Sequence, residues 1–388
     1  MSKQLLFIPG PVTVAEPVLA AMASPMVDHR GPEFKVLLDG ISRKLNPVFG
    51  TTGDVVILGS SGTGGLEAAM TNMFGPGEKV LCCPVGVFGD RFAEIARTWG
   101  IEVEVLPTVW GHGVDAAALK ARLDADTKRE IKGIVLTHNE TSTGVQNDLG
   151  VLAEAIRGHG AYVLVDSVSG LAASEFSMDA WGFDVVVAAS QKALGVPPGI
   201  SMVAIAPRAW EKMATANAPR YYFDLRKARE FATIGQTPAT PPVSQCFAMD
   251  VALDRYNETG PANVWARHKR YTRAIVAAAE ELGLELFAEA GVRSVTVTAI
   301  VVPPGVDGDA IRKTMRVERG FVLGGGQSRL AGKIIRIGTM GDISQTDVLG
   351  MLGALEMELL HAGLKIQVGK GVQAALRVFL EAGQPVPA

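Results

Sequence analysis

The stretch VVVAASQKALGVPPG, residues 185–199, begins with five valines and alanines in six positions and then places a lysine ahead of a Pro/Gly-rich turn. A run of small, largely β-branched apolar residues suits a strand covered on both faces and ill suits a solvated surface. Lys192 therefore leaves the strand where water is scarce. Burial lowers the pKa of a lysine and yields the neutral amine that condenses with a carbonyl compound.

Six further apolar runs of similar length surround this one: DVVILG (54–59), KVLCCP (79–84), IEVEVLP (101–107), KGIVLTH (132–138), AYVLVD (161–166) and ISMVAIA (200–206). Most are followed by Gly, Ser or Asn and then by a helical pattern, as in TGGLEAAMTNMF (63–74) and DLGVLAEAIRGHG (148–160). The alternation predicts an α/β fold with a mostly parallel seven-stranded sheet flanked by helices. In such sheets ligands bind beyond the carboxyl ends of the strands.

Past residue 205 the pattern changes. A basic and aromatic stretch, APRYYFDLRKAREF (218–231), leads into a Pro/Thr-rich linker, GQTPATPPV (235–243), and a long helical segment from about Ser244 that breaks near Gly260. VRSVTVTAIVVP (292–303) and KIIRIGTM (333–340) read as strands of a smaller α+β unit, and GVQAALRVFLEAG (371–383) as an amphipathic helix. The expected division is an N-terminal arm over 1–15, a large domain over 16–255 and a small C-terminal domain over 256–388.

Composition narrows the function classes. A formal charge of −3 spread over 388 residues does not favour a nucleic-acid partner, and the basic stretch at 218–231 is interrupted by Asp224 and Glu230. No uninterrupted apolar run of about 18 residues is present, so no membrane span is expected, and the apolar run before Pro9 is too short for a signal peptide. Three cysteines, Cys82, Cys83 and Cys246, lack CxxC spacing; they read as buried small hydrophobes, with no metal site and a cytoplasmic setting expected.

The strand exits carry the chemistry. GSSGTGGLEAAM (59–70) opens a helix on closely spaced glycines and serines, which frees backbone N–H groups for an anion such as phosphate. It is neither a P-loop nor GxGxxG. Asp166 ends AYVLVD, where a buried acid needs a cationic or hydrogen-bonding partner such as a protonated pyridine nitrogen. Each feature alone also has an ordinary structural reading: a glycine-rich turn, a helix cap or salt bridge, a lysine snorkelling to the surface. Together, with Asp166 and Lys192 separated by one connection and one further strand, they are what pyridoxal 5′-phosphate requires. His138 reads as a hydrogen-bonded structural residue and His112 as loop.

The segments FIPGPV, GSSGTGGLEAAM, GVFGDRF, THNETSTGV, VDSVSG, SQKALGVPPG, TPPV and IRIGTMG, in order from residue 7 to 341, resemble the class V, fold-type I pyridoxal-phosphate aminotransferases. The likeness is to the alanine-glyoxylate and serine-glyoxylate group, together with similar bacterial chains labelled as a soluble hydrogenase subunit. The resemblance implies that Lys192 bonds covalently to the cofactor aldehyde and serves as general base and acid, and that Asp166 partners the ring nitrogen. It implies that Ser61, Gly62 and Thr63 hold the phosphate with Gln191 nearby, that Phe88 stacks on the ring and Val168 packs beneath it, and that Thr141 lies near the phenolic oxygen or the substrate. Thr240 is expected to reach the phosphate of the neighbouring subunit of a homodimer, and the IPGP segment with Gly10 to be contributed across the same interface. Arg336, on a strand of the small unit, suits a substrate α-carboxylate, with Gly10 and Thr141 beside it.

The implied activity is transfer of the amino group of alanine or serine to glyoxylate or pyruvate with ping-pong kinetics. Three rivals are weaker. A cysteine desulfurase needs a late nucleophilic cysteine, and none follows Cys246. An NAD-dependent oxidoreductase leaves Lys192 and Arg336 without a task. A subunit of a redox complex leaves the Lys192–Asp166 pair without one.

Overall fold

The computed structural model describes residues 4–381; residues 1–3 of the expected arm and 382–388 of the expected small domain lie outside the described residues. The strands in chain order are β1 (Leu5–Phe7), β2 (Asp54–Leu58), β3 (Lys79–Cys83), β4 (Glu102–Val105), β5 (Ile131–Thr137), β6 (Asn139–Glu140), β7 (Val145–Gln146), β8 (Tyr162–Asp166), β9 (Val185–Ala189), β10 (Ser201–Ile205), β11 (Val297–Val301), β12 (Phe321–Gly325) and β13 (Ile334–Gly338).

All seven anticipated apolar runs enter one sheet, in the order β2-β10-β9-β8-β5-β3-β4. Pairs from β4 through β9 are parallel, and only β10 runs against its neighbours β9 and β2. The carboxyl ends of the other six strands therefore point the same way. β9 is buried along its whole length because both faces are covered. Val186 and Ala188 pack with Phe34, Leu38 and Ile41 of helix Pro32–Phe49 on one side. Val185 and Val187 pack with Leu66, Met70 and Met73 of helix Gly62–Met73 on the other. The period-2 alternation of a strand thus feeds two cores, and each fully buried valine contributes about 1.5–3 kcal/mol.

A second sheet, β1-β12-β13-β11, is antiparallel except for the parallel β1–β12 pair. Its core gathers Phe7, Ile275, Met315, Leu323, Ile337 and Met351. Within the expected arm, β1 is an edge strand held by the fully buried Phe7, whose ring meets Phe321 edge-on at 5.9 Å. Helix Val243–Thr259 stops at Gly260, where φ is +83°, and helix Pro261–Glu281 starts at once with proline in its first turn. The C-terminal helix Lys370–Glu381 lies along it, with Tyr271 and Phe379 edge to face at 5.7 Å.

Candidate active site

The loop after β9 is built to hold its lysine still. Ser190 Oγ donates to the carbonyl of Pro197 at 2.8 Å, and backbone bonds close Gly195 onto Lys192 and Val196 onto Ser190. Lys192 is only 9% exposed, and its Nζ donates to the carbonyl of Pro9 at 2.7 Å. Burial pushes its pKa down to about 8, against the pull of Asp166, and the Arg336 guanidinium adds to the depression.

Asp166 ends β8, in register with Thr137 of β5 and Val187 of β9, and is 4% exposed. Its Oδ1 accepts from the Val168 N–H at 2.9 Å. Burial drives its pKa up to about 7, which that hydrogen bond opposes. Nearby His138 exchanges hydrogen bonds with Ser167 at 2.8 Å and Ser174 at 3.4 Å, and burial pushes it down to about 4. It is the neutral structural histidine the sequence suggests.

Ser61 caps helix Gly62–Met73, yet its side chain makes no capping bond. The first N–H groups of this helix and the Ser61 hydroxyl are thus available to an anion. A side chain at Gly62 would stand 2.8 Å from Val168 Cγ2, so the close approach of helix and loop needs glycine. Gln191 keeps a buried Oε1 without a partner among the described residues. Arg91 donates to Thr63 Oγ1 at 3.4 Å, and its guanidinium lies 4.7 Å above the Phe88 ring.

These groups line one cavity, and every expected cofactor residue except Thr240 lies along it. Thr240 is exposed on a separate groove beside Gly59 and Tyr222. Arg336 lies one layer behind the wall: it is 7% exposed, and Nη1 donates to the carbonyl of Thr141 at 2.8 Å and Nε to that of Gly325 at 2.7 Å. Burial pushes its pKa down to about 10, with Glu140 opposing. Gly10 is at the lysine itself, since a Cβ there would meet Lys192 Cδ at 2.8 Å.

One expectation is corrected here. The IPGP segment was to serve a neighbouring subunit, but it lies against Lys192 of its own chain. The reason is topological: β1 is zipped to β12 of the same chain, so the residues that follow Phe7 must run past their own cavity.

Leu66, Arg91, Asn139 and Ser169 also line the cavity and were not singled out from sequence. Arg91 had a readable signal, its i,i+3 spacing from Phe88 at a helix start. Asn139 had none, because its partners Ser169, Ser294 and Thr296 come from distant segments.

The arrangement suits a phosphorylated pyridine aldehyde. The open helix N-terminus and Gln191 suit a phosphate, the carboxylate of Asp166 suits a cationic ring N–H, and the depressed Lys192 suits an aldehyde.

The sequence matches the family described as aminotransferase class-V over residues 17–333. It is 39% identical to the soluble hydrogenase 42 kDa subunit of Anabaena cylindrica, covering 97% of this chain and 99% of that protein. It is 37% identical to the L-aspartate-glyoxylate aminotransferase of Paracoccus denitrificans, covering 96% of each. The fold superposes on the crystal structure of ureidoglycine-glyoxylate aminotransferase from Bacillus subtilis with a TM-score of 0.92 at 29% identity, over 98% of this chain and 99% of that one.

Proposed function

Because this chain belongs to the class-V aminotransferases, enzymes whose cofactor is pyridoxal 5′-phosphate, we propose that its cavity moves an amino group from alanine or serine to glyoxylate or pyruvate. The observation that carries this reading is the burial of Lys192 and Asp166 in one cavity with an open helix N-terminus. Ser61, Gly62, Thr63 and Gln191 would hold the phosphate, Asp166 the ring nitrogen, and Phe88 and Val168 the ring faces; Thr141 would meet the phenolic oxygen.

When bound, the cofactor supplies an electron-withdrawing ring that accommodates the charge left on the substrate's α-carbon after its proton departs. Lys192 does the proton work. With a pKa pushed down to about 8, Nζ is in part neutral near neutral pH, so it can take the proton from the α-carbon and return it elsewhere. The Pro9 carbonyl holds that nitrogen in place. A cationic ring N–H would keep Asp166 ionised despite its burial. Arg336 has two N–H groups committed to the Gly325 and Thr141 carbonyls, which sets the plane of the guanidinium and leaves the others for a carboxylate.

Both aminotransferase names among the relatives reported above specify glyoxylate, which supports it as acceptor. The Anabaena relative's name suggests a redox-complex subunit instead; the Lys192–Asp166 pair favours catalysis.

Purified protein supplied with pyridoxal phosphate should turn yellow, and borohydride should bleach it. Alanine tested against glyoxylate, and serine against glyoxylate and pyruvate, should give parallel double-reciprocal lines, as expected of ping-pong turnover. No uptake of the cofactor, or full turnover by Lys192→Ala, overturns the reading. The same proposal includes a homodimer in which Thr240 reaches the partner's phosphate, and a boundary between units near residue 255. It also includes a cytoplasmic setting, supported by three buried free cysteines.

A further inference from the structure

Among the described residues, the roles assigned above leave one fully buried carboxylate, flanked by two cavity-lining neighbours, without a task. Glu140 ends β6, next to Thr141, and is 0% exposed. Its Oε2 accepts from the backbone N–H groups of Phe88 at 2.9 Å and Gly89 at 3.1 Å, in the first turn of helix Val87–Thr98. Its Oε1 accepts from Ser142 N at 3.0 Å and Ser142 Oγ at 2.7 Å, and that hydroxyl in turn accepts from Val87 N at 2.9 Å. The acceptor capacity of a carboxylate is thus filled, entirely by N–H and O–H donors. Burial raises its pKa and these hydrogen bonds oppose the rise.

What Glu140 joins matters more than its burial. On one side stands the backbone of Phe88, whose ring forms a wall of the cavity 6.0 Å from Lys192 Nζ. On the other, the next residue, Thr141, presents the carbonyl that receives Arg336 Nη1. Phe88 and Glu140 are 52 residues apart in the chain, and Thr141 and Arg336 are 195 apart. The ring and the guanidinium belong to different elements, and the carboxylate, with Ser142 and Thr143 beside it, ties the turn that carries Thr141 to the start of the Phe88 helix.

We propose that Glu140 is a positioning residue that locks the Phe88 wall of the cofactor cavity to the Thr141 carbonyl holding Arg336, so that ring stacking and substrate-carboxylate binding share one spatial reference. The inference rests on the reading of the cavity as the pyridoxal-phosphate site. It accounts for a carboxylate rather than an amide at 140: a glutamine would turn an N–H₂ group toward backbone N–H donors on one side or the other, losing bonds there.

The test uses the full chain as wild type, Glu140→Gln, Phe88→Ala and the double variant. Pyridoxal phosphate is titrated into cofactor-free protein and followed by absorbance, and donor KM and kcat are measured at saturating cofactor. Glu140→Gln should weaken cofactor binding by about tenfold, the loss expected from one or two buried hydrogen bonds. It should raise donor KM by more than it lowers kcat. The effects of Phe88→Ala and Glu140→Gln on cofactor affinity should be less than additive, because a ring no longer held in place has less to lose. Without cofactor, the pH midpoint for amine-reagent attack on Lys192 should fall, since the Glu140 charge favours the ammonium.

Cofactor affinity and KM within twofold of wild type, or strict additivity with Phe88→Ala, overturns the proposal even if the melting temperature drops. Failure of pyridoxal phosphate to bind wild type overturns the functional reading and this inference with it. Should Glu140→Gln not fold, Ser142→Ala removes one of the four bonds to Glu140 together with the acceptor of the Val87 N–H, and should weaken affinity and raise KM together by about threefold; unchanged values there count equally against it.

Discussion

Burial acts on Lys192 and Asp166 in opposite electrostatic senses, and both effects point to chemistry. The lysine is pushed down toward neutrality and the aspartate up toward protonation, each because water is excluded from the carboxyl ends of β8 and β9. For Asp166 the folded-state pKa of about 7 exceeds its ordinary 3.8. Its stability contribution is therefore full below about pH 4 and lost as pH rises through 7. Cofactor-free wild type should lose more stability than Asp166→Asn between those limits, as read from denaturant midpoints of the two proteins across pH. Equal slopes would remove the burial argument. For Lys192 the sign is reversed, with stability lost as pH falls from its ordinary value of 10.5 through about 8. Both residues were legible in the chain, since each closes a run of apolar residues whose burial could be inferred. Arg336 was legible as a cation on a small-unit strand, but its engagement with the Thr141 and Gly325 carbonyls was not.

Among the helices, Gly62–Met73 brings its first turn to the cavity wall. Its N-terminus is free because Ser61 makes no capping bond, and it approaches the sheet because Gly62 has no side chain to strike Val168. Gly62→Ala should cut affinity for pyridoxal phosphate by about tenfold, through roughly 1–3 kcal/mol of overpacking, while leaving far-ultraviolet circular dichroism unchanged. Unaltered affinity would mean that the helix start can shift without cost. The glycine-serine opening announced this element, as valine-rich runs announced the seven strands of the large sheet. Other elements gave no such notice. β1 has three residues and β6 and β7 two each, too few for a period to show. β12, FVLGG, ends in the glycines that local propensity assigns to turns.

The molecule brings two sheets together beside the cavity, the loop after β9 supplying the lysine and β13 the arginine behind the wall, with the N-terminal segment running past the lysine. Thr240 alone of the expected cofactor residues faces away from its own cavity, on an exposed Pro/Thr-rich loop. In the proposed dimer Thr240→Asp should place a negative charge against the partner's phosphate and lower cofactor affinity by about tenfold, with the sedimentation coefficient unchanged. A monomer that binds cofactor at full strength would dismiss the shared site.

Apolar runs and turn residues carried the seven strands of the large sheet, the helix that opens onto the cavity and the lysine-aspartate pair, because burial of a strand and freedom of a helix end are local consequences of residue type and spacing. The meeting of Glu140 with Phe88, of Thr141 with Arg336, and of Pro9 with the lysine of its own chain depends on a non-sequential strand order and on β1 joining the second sheet. Contacts across 50 to 200 residues arise from packing, to which no local period corresponds.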